Sequence, residues 1–326
     1  MADVEVTDVD VAVIGAGPAG LSAALNLVRA HRRTLVIDSN RPRNAATLRS
    51  RGFLTRDGMP PLELRRIGRE ELERYPGAEV VTARVDRIVR DRDGFLVEGT
   101  GLRGAADVRI IARSVVIASG LNETLPPLPS IRIYYGTHLH SCIECDGFEK
   151  SGLPLALIGE SDDLAERAML ISQWTRDLIV FTNNVGRVTA HQEATLGSLG
   201  IRVERRAIVD VTGERDRMTG VALEGGVVIP RVGGFVRPNW TPSLAFADDL
   251  ALAVDDQGLL VVDECGRTSV SGVYAAGDTV QPGPRQLIVA AGAGATVAST
   301  VNRDLITRSV NAAEGTWTGV LAPPVQ

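Results

Sequence analysis

Aromatic residues are scarce: Phe, Trp and Tyr together make up 4% of the 326 residues, so they mark out no substrate pocket. Cysteine is scarcer still, at three residues, which excludes a small disulfide-stapled scaffold. No apolar run approaches the ~18 residues needed to span a bilayer. Positive charge is not in excess: 35 Lys and Arg against 40 Asp and Glu give a net charge of −5. That balance argues against a nucleic-acid or membrane-surface partner. The N-terminal MADVEVTDVD is acidic and leads straight into a strand, so it does not read as a secretory signal. A cytoplasmic protein is expected. In that reducing compartment a close cysteine pair points to catalysis or metal binding rather than to a structural bridge.

What is present is a globular composition, 44% hydrophobic and 23% charged, with a length that suggests about two domains. Val11 to Ile14 read as a buried parallel strand, followed by Gly15-Ala16-Gly17-Pro18-Ala19-Gly20. In this G-x-G-x-x-G, Gly15 permits the tight turn, Gly17 lets a pyrophosphate approach the backbone, and Gly20 allows close helix–strand packing. A helix from about Pro18 to Ala30 aims its N-terminus at the phosphates. The next strand, Leu35-Val36-Ile37, ends in Asp38, placed to bind a ribose hydroxyl. Near the other end of the chain, Gly272-Val273-Tyr274-Ala275-Ala276-Gly277-Asp278 reads as a strand ending in a carboxylate suited to a polyol such as the ribityl of FAD. Arg285, Gln286 and an Ala/Gly-rich helix through about Asn302 follow. Between them, Val115 to Gly120 is another buried strand stopping at a glycine turn.

The chain repeats itself at an offset of 144: Val11–Asn40 aligns with Leu155–Asn184. The two copies differ where binding would occur. Gly17 becomes Ser161, Gly20 becomes Leu164, and Ala16 becomes Glu160, a charge that would repel a phosphate by about 1–4 kcal/mol at ~4 Å. Asp162 and Asp163 would satisfy the helix N-terminus themselves, and Thr182 stands where Asp38 would be. The second copy is expected to fold as a nucleotide-binding unit with its NAD(P)H site degraded.

Cys142-Ile143-Glu144-Cys145-Asp146-Gly147 holds the two close cysteines, with His138 and His140 just upstream. A C-x-x-C suits reversible two-electron exchange. A zinc site needs further ligands at workable spacing, and the third cysteine, Cys265, is solitary and reads as inert. Asp146 fits a proton shuttle to the thiolate or a helix cap. His138 and His140 fit auxiliary bases or plain structural residues.

GAGPAG, then CIECDG, then AAGDT…RQ…AAGAG, in this order and spacing, resemble the low-molecular-weight thioredoxin reductase family. The resemblance implies an α/β fold of two Rossmann-like, three-layer domains, the second inserted in the first. FAD would be held by residues 1–121 and 243–326, with a central NAD(P)H-like domain over 122–242 carrying the disulfide. It implies flavin contacts from Gly15, Gly17, Ala19, Gly20 and Asp38, from Asn44 and Gly120, and from Gly277, Asp278, Arg285 and Gln286. It also implies that Cys145 faces the flavin, Asp146 serves as acid–base, Cys142 meets the substrate, and the protein is a homodimer. Arg43-Asn44, residues 52–58 and residues 174–182 resemble a sub-branch containing dithiol oxidases that close disulfides of the gliotoxin and holomycin type. Those enzymes pass electrons from a dithiol through C-x-x-C and FAD to O2. Many carry His where this chain has Asp146. Three readings stand side by side: oxidation of a small-molecule dithiol, reduction of a thioredoxin-like protein fed by NADPH or ferredoxin, and a flavin-bearing redox sensor.

Overall fold

The structure is a computed structural model that describes residues 7–92, 94–214, 217–280 and 283–314. The chain forms two compact units, one of Met1–Arg43, Leu62–Asn122 and Thr241–Gln326, the other of Asn44–Pro61 and Glu123–Trp240.

In the outer unit, β1 (Thr7–Ile14), α1 (Pro18–Arg29) and β2 (Thr34–Asp38) form the expected βαβ unit. They are followed by α2 (Pro61–Glu73), β3 (Ala78–Asp91), β4 (Gly94–Gly101) and β5 (Val108–Ile117). The parallel sheet runs β3-β2-β1-β5, with Val273–Ala275 outermost beside β5. β3 and β5 are long enough to do two jobs. One end of each also pairs antiparallel with β4 to make a meander. Side chains alternate along β1, as pleating requires. Val11 and Val13 enter one core with α1 and the C-terminal helix Leu287–Glu314. Ala12 and Ile14 enter the other, against the meander. The C-terminal helix is rich in Ala and Gly because it lies backbone-close to α1: a Cβ on Gly294 would stand 2.1 Å from the Ala19 carbonyl oxygen.

The central unit repeats this plan. Its five strands are all parallel, in the order Arg202–Glu204, Leu178–Phe181, Leu155–Ile158, Gly233–Val236, Leu139–His140. A three-stranded antiparallel meander (Ile208–Glu214, Arg217–Leu223, Val228–Pro230) covers one face. The helix Leu164–Ile171 covers the other. The offset of 144 holds at the ends of the first strands (Ile14, Ile158) and the starts of the second (Thr34, Leu178).

One boundary differs from expectation. Residues 44–61, assigned by sequence to the flavin-binding part, pack with the central unit. Gly136 is the reason on one side: a Cβ there would sit 2.0 Å from the Ala46 carbonyl oxygen, so the two backbones touch. On the other, Arg51 pairs with Glu149 at 3.1 Å.

Candidate active site

Cys142 and Cys145 are joined as a disulfide and are both half-buried. The edge strand Leu139–His140 delivers the chain to Cys142, which starts the single turn Ile143–Asp146 in extended conformation. Its Sγ accepts the Cys145 N–H at 3.2 Å. Ile143, 2% exposed, anchors the turn in the core. Ser141, just before the pair, is held twice. Tyr135 Oη donates to its Oγ at 2.9 Å, and Arg167 donates to its carbonyl at 2.9 Å. Gly147 is required because a Cβ there would lie 2.7 Å from the ring of Trp174.

Asp146 follows in a pocket that strips most of its water. Burial pushes its carboxyl up to about 6, against the opposing charges of Lys150 and Arg51, with Glu149 adding to the rise. His140 is buried with Nε2 3.5 Å from Asp146 Oδ1. Burial, aided by Lys150 and His138, pushes its imidazole down to about 3, so it is neutral at working pH. His138 is half-buried and edge-on to the Tyr134 ring. Among the described residues, no group of three His, Cys, Asp or Glu is placed to hold a metal. Cys265 is a free thiol in the outer unit.

The outer unit gathers most of the expected flavin residues around the end of β1. Gly15 takes φ +105, and a Cβ there would strike the Ala118 carbonyl oxygen at 2.5 Å. On Gly20 it would meet the Gly15 oxygen at 1.8 Å. Gly17 is different: nothing lies within 4 Å of where its Cβ would be. It caps α1 with no side-chain hydrogen bond. Open space before free N–H groups is what a pyrophosphate needs, and the residues present fit FAD there.

Asp38 Oδ1 accepts the Ala16 N–H at 3.1 Å, while Oδ2 is paired with Arg65 at 2.7 Å and with Arg69. The sequence reading missed both guanidiniums. An ion-paired carboxylate still has lone pairs for a hydroxyl. Gly277 takes φ +79 against Ala19, and Asp278 pairs with Arg43. Gly277, Asp278 and Arg285 line a small cavity of about 100 Å³ beside the start of the C-terminal helix, which Gln286 immediately precedes. Gly120 takes φ +67 with open space at its Cβ position. Asn44 lies in the segment that packs with the central unit.

In the central unit the equivalent turn is filled by the protein itself. Leu164, fully buried, lies 2.8 Å from a Cβ placed on Gly159. The Asp163 carboxylate accepts from Ser161 and from Arg237 Nε at 2.8 Å. Although burial favours its neutral form, these bonds hold it below the usual carboxylate range. Arg237 in turn stacks 4.3 Å from the Trp240 ring. Glu160 accepts from Asn183 at 2.6 Å. The helix begins at Leu164, two residues later than the repeat would place it.

Residues 9–294 match the model of the pyridine nucleotide-disulphide oxidoreductase family. The chain belongs to that family, in its low-molecular-weight thioredoxin-reductase-like group. Among solved structures it is similar to HlmI (34% identity, TM-score 0.87, covering 94% of this chain and 95% of that one). It is similar to a putative thioredoxin reductase TrxB from Bacillus anthracis (34%, TM-score 0.85, 92% and 99%). Among curated relatives it is 29% identical over 315 residues to a bifunctional thioredoxin reductase/thioredoxin from Mycobacterium leprae, covering 90% of this chain. It spans 65% of that relative's length, and 43% of a probable thioredoxin reductase from Arthroderma benhamiae.

Proposed function

We propose that the protein oxidises a substrate dithiol to a disulfide through Cys142–Cys145 and FAD, with O2 as the final acceptor. The observation that carries this reading is the self-filled turn of the central unit. Glu160 and Asp163 occupy the turn that would receive the phosphates of a nicotinamide dinucleotide, and Leu164 fills the close-packing position behind it, which supports electrons reaching the disulfide from a thiol instead.

A substrate thiolate attacks Cys142 Sγ, the Cys142–Cys145 bond breaks, and Cys145 leaves as a thiolate that takes a proton from Asp146. The second substrate thiol then attacks the mixed disulfide. The substrate departs as a disulfide, having lost two electrons and two protons, and the enzyme pair is left as a dithiol. Asp146, poised at about 6, moves the proton in both directions near neutral pH. FAD, which the Gly15–Gly20 turn and Asp278 would hold, would supply a two-electron acceptor for this dithiol, with O2 as the final oxidant and hydrogen peroxide as the product.

The thioredoxin reductases among the relatives favour a second reading, reduction of a thioredoxin-like protein fed by NADPH or ferredoxin. Anaerobic mixing separates them. A small dithiol bleaches the flavin, and peroxide appears when air is admitted. Rapid bleaching by NADPH would falsify the oxidase reading, and bleaching by reduced ferredoxin but not by dithiols would favour the reductase.

A further inference from the structure

Lys150 lies five residues beyond Cys145, closes the turn Phe148–Lys150, and is 8% exposed. Its Nζ donates to the His138 carbonyl oxygen at 3.0 Å. The same oxygen accepts the Gly234 N–H at 2.9 Å. The ammonium therefore ties the exit of the disulfide loop to its entrance, and both to the neighbouring strand Gly233–Val236.

A buried ammonium with one hydrogen bond is costly unless an anion shares its surroundings. Burial lowers the proton affinity of Lys150, and the nearby charges of Asp146 and Glu149, four and one residues before it, work against that; Glu149 is engaged by Arg51. His140, 3.5 Å from Asp146, is neutral, and Arg51, the other cation acting on Asp146, is more exposed and engaged with Glu149. Lys150 is thus a buried cation within the loop that carries the disulfide, and none of the proposed steps uses it.

We propose that Lys150 is a positioning residue for the disulfide: its ammonium, fixed on the His138 carbonyl, sets the proton affinity of Asp146 and provides the counter-charge when the opening disulfide releases a thiolate. This deepens the dithiol reading above, but it holds whichever way electrons flow, because the disulfide opens and closes in either direction.

The test is the rate at which dithiothreitol opens the disulfide in the purified full-length protein with its flavin. The rate is followed by quenched thiol alkylation and mass measurement between about pH 5 and about pH 9. Normalised to dithiothreitol thiolate, the rate falls once Asp146 loses the proton it gives to the leaving thiolate. Lys150→Gln keeps a donor for the His138 carbonyl and removes the charge, so the break moves to higher pH by about half a unit or more. Lys150→Arg restores the wild-type break, and Asp146→Asn abolishes it. A Lys150→Gln protein whose break stays at the wild-type pH overturns the proposal, even if its rate is uniformly lower. Should Lys150→Gln fold poorly, a Lys150→Arg break displaced to higher pH overturns it equally. The readout is the disulfide and not the flavin, so failure of the oxidase reading leaves this test intact.

Discussion

Nε2 of His140 stands 3.5 Å from Oδ1 of Asp146, and burial drives the two groups in opposite directions on the pH scale. Asp146 binds its proton near 6 in the folded state against 3.8 ordinarily. It therefore adds stability as pH falls from about 6 to about 4, and that stability is lost as pH rises through 6. His140 protonates near 3 rather than 6.5, so it removes stability as pH falls from about 6.5 toward 3. The two slopes offset each other. Asp146→Asn is expected to steepen the loss of thermal stability between pH ~7.5 and ~4.5, and His140→Gln to reverse it, each by about 1–3 kcal/mol. Melting curves at the two pH values check this; variants that track the wild type refute the buried-pair reading.

Gly17 and Gly20 lie in one motif and are expected to fail differently. Gly17→Ala adds a methyl group to open space at an ordinary φ of −77°. The apoprotein should keep its stability to within about 0.5 kcal/mol, while flavin occupancy after purification drops. Gly20→Ala forces a Cβ onto the Gly15 oxygen and should lower apoprotein stability as well. Flavin absorbance per chain, set beside melting temperature, separates the two.

Gly147 and Trp174 form a coupled pair. Gly147→Ala should destabilise by about 1–3 kcal/mol by overpacking and change the Trp fluorescence of the central unit. In a Trp174→Leu background the same substitution should cost markedly less. A double-mutant cycle measures the coupling, and an additive result would remove Trp174 as the reason for glycine at this position.

Asp163→Ala should cost about 1 kcal/mol through the lost charge-assisted bond to Arg237. It should not confer NADPH binding, since Glu160 and Leu164 remain in the turn. Replacing Leu164 as well opens a cavity in a fully buried position, at about 2–5 kcal/mol. Titration with NADPH, monitored by its fluorescence, tests both variants.

Much of this could be read from the sequence because repetition and glycine spacing are local. The βαβ units announce themselves through apolar runs, and Ser161, Leu164 and Glu160 are conspicuous only because Gly17, Gly20 and Ala16 stand 144 residues earlier. What escaped depends on contacts distant in the chain. Arg65 and Arg69 reach Asp38 from α2, 27 and 31 residues away, and nothing in their own helix pattern foretells it. Leu139–His140 is too short to show a period. The segment 44–61 gives no hint of which unit it joins. A lone lysine after a turn reads as solvated surface, so Lys150 carried no signal at all.

Leu139–His140 also has a kinetic consequence. This strand meets the central sheet through only two paired positions, against four between Gly233–Val236 and Leu155–Ile158. With fewer ladder bonds to break, its amides should exchange with solvent sooner than those of 155–158, which hydrogen-exchange measurements on the native protein would show as a local opening at the redox pair's own strand.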